Sequence, residues 1–298
     1  MSSSISIISS VAPRDAIRAS WSQNLGVKPR GLALARERGW ILAWDEKDRL
    51  HLFDCAGSRQ ASSGLPGSLV SAATAEDGSA HAAIGAARQL WWLAPDLSRR
   101  WEEHLAHRAV AVALDAFGQY VAVAESHGGI QVFDCHGRLV CRSQSPRPLQ
   151  HLAFVPAAPF ILGSADYGFV GCFDLTGRCM WRDSPVANIG SMAVSGDGNS
   201  ILLACFTEGL QRYNLTGQDK GRMNAGDVCR LVAISYDGEL LLGAGLSNDL
   251  LLLDCQGRTL GNHEASKPAV ALALSALGEN AIVALADGRV IGLDVRIG

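Results

Sequence analysis

A single column of residues returns every 40 positions along this chain without drift, and it constrains the fold more than any local feature. Asp54, Asp134, Asp174, Asn214, Asp254 and Asp294 stand in register, and Ala94 alone breaks the series. A bulky apolar residue precedes each position: Phe53, Leu93, Phe133, Phe173, Tyr213, Leu253 and Leu293. Three positions after the column comes glycine in five units, at Gly57, Gly137, Gly177, Gly217 and Gly257. A fixed period in the forties means that one supersecondary unit recurs, each copy burying its apolar faces against its neighbours.

The stretch 230–261 reads most plainly. Leu231 to Ser235 is a short apolar strand, and Tyr236-Asp237-Gly238 supplies a turn, since glycine accepts the positive φ of a tight hairpin. Leu240 to Gly245 is a second strand, Ser247-Asn248-Asp249 turns again, and Leu250 to Leu253 is a third. Asp254-Cys255-Gln256-Gly257 turns a third time, and Arg258-Thr259-Leu260 opens a fourth, more polar strand. The inner strands are apolar on both faces, as in Ala109 to Leu114, which fits sheets packed face to face. Four-stranded antiparallel units of this kind, set radially, make an all-β propeller that leaves only short strand edges.

Counting the column from 54 to 294 gives seven blades, and the last stops at Gly298 before a fourth strand can form. The fourth-strand column reads Ala61, Trp101, Cys141, Trp181, Gly221 and Gly261. One period before Ala61 stands Trp21, so the segment around it is expected to be the outer strand of blade 7, closing the ring. Closure removes edges that would otherwise pair with other chains. The expected organisation is one domain over 15–298, with 1–14 as a tail outside the repeat.

Apolar residues make up 48% of the chain and charged ones 18%, enough for a large core. A formal net charge of −3 gives no general attraction to nucleic acid or anionic lipid, and no apolar run approaches the ~18 residues of a membrane span. The N-terminus has no cationic region and no continuous apolar core of a signal peptide, which predicts a cytoplasmic protein. Eight cysteines suggest no disulfide framework: Cys55, Cys135 and Cys255 fill one column in different units, and buried, reduced thiols are expected throughout. Cys172 and Cys179 are placed to face each other across one hairpin.

Phe53-Asp54, Phe133-Asp134 and Phe173-Asp174 stand where WD40 repeats carry their Trp-Asp dipeptide, and Thr176-Gly177 with Trp181 is similar to a quinoprotein (PQQ) repeat. Over roughly 16–298 the chain therefore resembles the WD40 and quinoprotein-like propellers. The upstream Gly-His of WD40 repeats is missing from every unit, and blade 4 is one residue short of the PQQ motif. Quinone-dependent dehydrogenases are larger secreted proteins with adjacent cysteines and a calcium site, features this chain lacks, so the resemblance implies the fold and no cofactor.

The resemblance also implies a binding face, formed by the connections between blades and by the second-hairpin turns. The connections depart most from the repeat, so a site is expected there. They carry Lys28, Arg30, His107, Arg108, Arg142, Arg147, Asp227, Arg230, His263 and Lys267. The expectation is a basic ring able to hold an acidic peptide or a phosphate, against the plain alternative of ordinary solvated cations. The second turns carry Asp45, Glu46, Asp48, Glu125, Asp166, Glu208, Asp249 and Asp287, read as turn formers rather than metal ligands. Trp91-Trp92 and Trp40 with Trp44 offer either an exposed aromatic anchor or blade-to-blade packing, with one ring of the first pair buried and its neighbour exposed. Pro146-Arg147-Pro148 is expected to form the longest, stiffest connection. No Ser/His/Asp set is signposted.

Three readings follow. The first is a non-catalytic module that presents one loop face to a protein or peptide partner, without nucleic acid or membrane. The second is a small-ligand-binding or enzymatic propeller, lyase or lactonase-like, with polar groups converging at the channel mouth. The third is a structural subunit of a larger assembly, with an apolar patch as its interface.

Overall fold

The computed structural model describes residues 16–224 and 229–296. Seven four-stranded antiparallel sheets form a ring, a seven-bladed β-propeller. Blade 1 consists of Pro29–Ala35, Trp40–Asp45, Arg49–Phe53 and Arg59–Gly64, paired in that order from the channel outward. Blades 2 to 6 span 69–104, 109–144, 151–183, 191–223 and 231–264. Blade 7 takes its three inner strands, Ala269–Leu274, Asn280–Leu285 and Arg289–Val295, from the C-terminal end of the chain. Its outer strand is Ile17–Asn24, with Trp21 opposite Gly292. The ring is therefore closed by the N-terminal strand, as the backward count from Ala61 requires. The expected tail, 1–14, lies outside the described residues.

The 40-residue column is a set of turns. In the third turns of blades 1, 3, 4 and 6 the column carboxylate accepts backbone N–H groups from two and four residues on. Asp134 Oδ1 meets His136 N at 2.9 Å and Arg138 N at 2.9 Å, and Asp254 repeats this with Gln256 and Arg258, both at 2.9 Å. The backbone bond from Arg138 is the largest influence on Asp134 and holds its carboxyl below the usual range. Asp here serves the turn.

The core lies in the seams between blades. One cluster joins Ile41, Ala43 and Phe53 of blade 1 to Ile282, Ala284 and Val290 of blade 7, so the closure seam is as buried as the others. Alternate seams carry a further latch. Trp21, Trp101 and Trp181, on outer strands, each donate Nε1–H to a carbonyl of the next blade's third turn: Cys55 O at 3.0 Å, Cys135 O at 2.9 Å and Leu215 O at 2.7 Å. The indole lies against the turn glycine of that blade. A Cβ on Gly57 would come within 2.5 Å of Trp21, and one on Gly217 within 2.6 Å of Trp181, at φ of 80° and 81°. At the seam between blades 1 and 2 the latch residue is small and the turn compensates: Ala61 faces blade 2, whose turn places Leu97, buried and at φ 65°, in the glycine column.

The tryptophans pack rather than project. Trp91 and Trp92 are both buried, so the exposed neighbour expected from sequence is not found: the two rings enter different seams, and Trp92 stacks on Trp101 at 5.5 Å. Trp44 is also buried, and Trp40 stacks on His81 at 6.4 Å.

The eight cysteines are all free, but not all are buried. Cys55 and Cys179 are exposed because they sit at a turn and on an outermost strand, where no blade covers them. A register shift places Cys172 opposite Trp181 and Phe173 opposite Cys179, so the two thiols are not directly paired across their hairpin. Burial pushes the Cys172 and Cys229 thiols up to about 12 and raises Cys205 as well. With a thiol reagent at pH 8, Cys55 and Cys179 should react first, while Cys172, Cys205 and Cys229 react only after denaturant is added. Peptide mapping of the labelled sites checks this.

His81 is fully buried in blade 2, with Nδ1 3.0 Å from Thr74 Oγ1, and burial lowers its pKa from 6.5 to about 4. The neutral ring is favoured in the fold, so the unfolded chain binds more protons and stability falls as pH drops from 6.5 towards 4. At pH 5 His81 alone should cost about 2 kcal/mol relative to pH 7. Urea midpoints at the two pH values measure the loss, and His81→Gln should reduce the difference.

Candidate functional site

The connections between blades and the second turns share one face, because they hydrogen-bond to each other. In the regular blades the residue after the fourth strand donates to the second turn of its own blade: Leu25 N to Gly288 O at 2.9 Å, Leu65 N to Asp48 O at 3.4 Å, Leu105 N to Arg88 O at 2.8 Å, Ser145 N to Gly128 O at 2.8 Å and Ala265 N to Asn248 O at 2.9 Å. The same column in blade 4 is Pro185, which has no N–H to give.

The regular pattern fails from there. Blades 1, 2, 3 and 7 extend the first strand to this face through a bulge, as at Pro29/Gly31 and Ala109/Ala111. In blades 4, 5 and 6 the first strands begin later, at His151, Ser191 and Leu231. The second turns of blades 4 and 5 bond instead to the lead-in of the following blade: Ile189 N donates to Asp166 O at 2.9 Å, and Cys229 N to Phe206 O at 3.1 Å. Phe206 adopts a φ of 46°, outside the turn position where Asp48 and Arg88 take positive φ. A bulky aromatic held in left-handed backbone is an outlier of the kind that collects at functional sites.

This irregular sector contains a groove. One cavity of about 500 Å³ is lined by Arg147, Tyr167, Pro185, Val186, Asn188 and Phe206 among others. A second, of about 410 Å³, shares Tyr167, Asn188 and Phe206 and ends on Asp166 and Arg230. Tyr167 is 74% exposed and Val186 91%, which puts two large apolar side chains in the open along one groove. Arg147 donates to Tyr167 O, which fixes its stem at the groove edge. Asp166 lies 3.6 Å from His151, and Glu208 is paired with Arg222.

The cations expected to form a ring divide by environment. Lys28, Arg30, His107, Arg108, Arg147 and Lys267 are exposed, and Arg230 is half-buried. Arg30 and Arg230 act as equivalent clasps, donating to Leu69 O at 2.5 Å and Ala269 O at 2.6 Å on the next blade. Arg30 is also neutralised by Asp48 at 3.2 Å. The matching residue beside Arg230 is Asn248. Arg147 and Arg230 are brought to the groove, whereas Lys28, Lys267 and Arg108 line neither of its cavities. His107 stands elsewhere, against His127 with ring centroids 4.1 Å apart, in a separate cavity of about 470 Å³ with Glu125 and Arg142. Burial lowers the pKa of His263, and Asp227 lies outside the described residues. Pro146-Arg147-Pro148 is not in the longest connection, since the link from blade 4 to blade 5, 184–190, exceeds the 145–150 link.

Of the acidic second-turn residues, Asp45 and Asp287 serve turn geometry, Asp287 Oδ1 accepting Arg289 N at 3.2 Å. Asp45 Oδ1 accepts Lys47 N at 2.8 Å and Arg49 N at 3.1 Å. Burial would raise its pKa, but bonds from His51, Arg49 and Lys47 outweigh that and lower it. Among the described residues no group of three His, Cys, Asp or Glu side chains is placed to hold a metal ion.

One constellation escaped the sequence reading. Asp45 Oδ2 lies 2.9 Å from His51 Nε2, and His51 Nδ1 lies 3.3 Å from Ser62 Oγ. The Ser62 hydroxyl also has Leu50 O at 3.1 Å, and burial lowers the pKa of His51, so a neutral imidazole hydrogen-bonds the buried Asp45 carboxylate while Arg49, 2.8 Å away, pairs its charge. Its signal was a polar position in an apolar third strand, shared by His51, Gln131 and Gln211.

The side chains lining the central channel are mostly apolar. Its lower part, about 310 Å³, is walled by first-strand residues such as Leu32, Val112, Phe154, Met192 and Ile234. Arg36 and Glu76 lie at that end and grip each other, with Arg36 Nε 3.0 Å from both carboxylate oxygens and its guanidinium 5.3 Å from the Tyr236 ring. No protein family matches the sequence, and no curated protein matches it either.

Proposed function

We propose that this propeller is a non-catalytic interaction module that presents its loop face to a protein or peptide partner. The observation that carries the reading is the groove over blades 4 to 6, where Pro185 interrupts the repeat and Tyr167 and Val186 are left in the open beside the half-buried Phe206. On blades 1, 2, 3, 6 and 7 the connection keeps its regular bond to the second turn, and blade 4 has lost it. Kinship to WD40 or quinoprotein-like repeats belongs to this proposal, resting on the Phe-Asp dipeptides and on Thr176-Gly177 with Trp181. So does a cytoplasmic setting. No described helix is long and apolar enough to cross a membrane. The enzymatic reading draws less support, because the side chains of the channel wall are mostly apolar and its two charged groups satisfy each other.

Affinity purification of the tagged full chain from its own cells tests the proposal. Tyr167→Asp with Val186→Asp should lose the partners recovered with wild type. Phe117→Asp with Leu277→Asp, at first-turn residues that are 57% and 61% exposed on the opposite face, should keep them. The reverse pattern would overturn the loop-face reading.

A further inference from the structure

We infer that the groove receives an extended acidic peptide, with an apolar side chain among Tyr167, Val186 and Phe206 and carboxylates reaching Arg147 and Arg230. The inference rests on the loop-face reading and names its ligand class. Three observations carry it.

The first is charge. Among the described residues neither Arg147 nor Arg230 has a carboxylate partner, and each spends a donor on a backbone carbonyl that fixes its position. The comparison with Arg30 is direct: the same clasp on blade 1 is closed by Asp48, and on blade 6 that residue is Asn248. Replacing the acid by its amide leaves Arg230 without that partner, and its buried Nε–H meets no acceptor among the described residues. A guanidinium with free donors binds carboxylate in a directional, charge-assisted way.

The second is shape. The two cavities are continuous through Tyr167, Asn188 and Phe206, with Arg147 towards one end and Arg230 towards the other. Each cavity also holds a carboxylate, but Glu208 is paired with Arg222 and Asp166 lies 3.6 Å from His151, which leaves the arginines at the two ends as the open charges. An elongated site of this kind, with Tyr167 and Phe206 beside Asn188 between two cations, fits a chain with separated carboxylates better than a compact anion. Exposed rigid aromatics are the usual anchors of such contacts.

The third is the middle of the groove. Asn188 is exposed and its side-chain amide makes no hydrogen bond within the described residues, while its backbone is fixed by the bridge to Tyr167. A free carboxamide both donates and accepts, which matches the N–H and C=O of an extended peptide backbone.

Selection from a phage-displayed library of random dodecapeptides on the immobilised full chain tests this, followed by fluorescence anisotropy with the enriched peptides. Enriched sequences should carry an aromatic or aliphatic residue flanked by Asp or Glu. Arg147→Gln and Arg230→Gln should each weaken binding about tenfold and added salt should weaken it further; Arg147→Gln should melt as wild type does, whereas Arg230→Gln also gives up its clasp on Ala269 O and should melt slightly lower. Neutral or basic sequences, acidic sequences indifferent to both arginine variants, or no enrichment would each overturn the inference. Inorganic phosphate competing as well as the peptide would do so too, by showing a simple anion site. None of these outcomes decides the loop-face reading, which the purification with face-specific variants tests separately.

Discussion

Trp21→Asp should open the ring. The indole covers Gly57 and Gly292, and its Nε1–H reaches Cys55 O across the seam at 3.0 Å, so one side chain joins the outer strand of blade 7 to blade 1. Removing a large aromatic from such a site costs about 3–5 kcal/mol, and a carboxylate over glycine faces adds desolvation. For a chain of this size that is a fall of roughly 8 °C in Tm. The strand that the variant loosens is also the one that covers the edge of Arg289–Val295. Light scattering should therefore show association before the main unfolding transition. Trp101→Asp, at an equivalent latch inside the chain's own order, should lower Tm by a similar amount without that early association.

Leu97→Gly should destabilise the fold although it restores the residue the repeat prefers. Glycine would relieve the positive φ of 65°, worth about 1 kcal/mol. It would also empty the space that Leu97 fills beside Ala61 and Leu93, at about 3–5 kcal/mol, so the net loss is about 2–4 kcal/mol. Adding Ala61→Trp should recover much of that loss. The pair would reproduce the latches of Trp21 on Gly57 and Trp181 on Gly217, and Pro95 stands at the acceptor spacing of 34 residues. Ala61→Trp alone should destabilise, because Leu97 occupies the space the indole needs. A double-mutant cycle by urea denaturation gives the coupling, expected to favour the double variant by about 2 kcal/mol or more. Additive effects would show that the large-and-small exchange does not hold the seams.

These seams explain what could be read from the sequence. A period without drift fixes blade number, strand order and the need for a strand from the other end of the chain, because every blade solves the same packing problem. Trp21 was found that way, and so were the turn roles of Asp134 and Asp254. Burial within a blade was less legible. Cys55 and Cys179 looked like core residues by type, yet a turn and an outermost strand have nothing outside them. One ring of Trp91-Trp92 looked exposed by alternation, yet both faces of a third strand meet another blade.

The groove was hidden for a different reason. It arises from what the connecting loops lack: an N–H at Pro185 where Leu25, Leu65 and Leu105 donate, and a carboxylate at Asn248 where Asp48 pairs with Arg30. Aligning the connections in the 40-residue frame exposes both substitutions. Treating the loops as a bag of cations gathered Lys28 and Lys267 with Arg147 and Arg230, and only the last two line the groove.

The central claim is that binding belongs to the sector where the repeat breaks. Hydrogen exchange measured by mass spectrometry, on the full chain with and without a partner recovered by the wild type, tests it most directly. Protection confined to peptides covering Arg147, Tyr167, Pro185 to Asn188 and Phe206 is the predicted result. Protection on the first turns around Phe117 and Leu277, or along the outer strands with the groove unchanged, would contradict it.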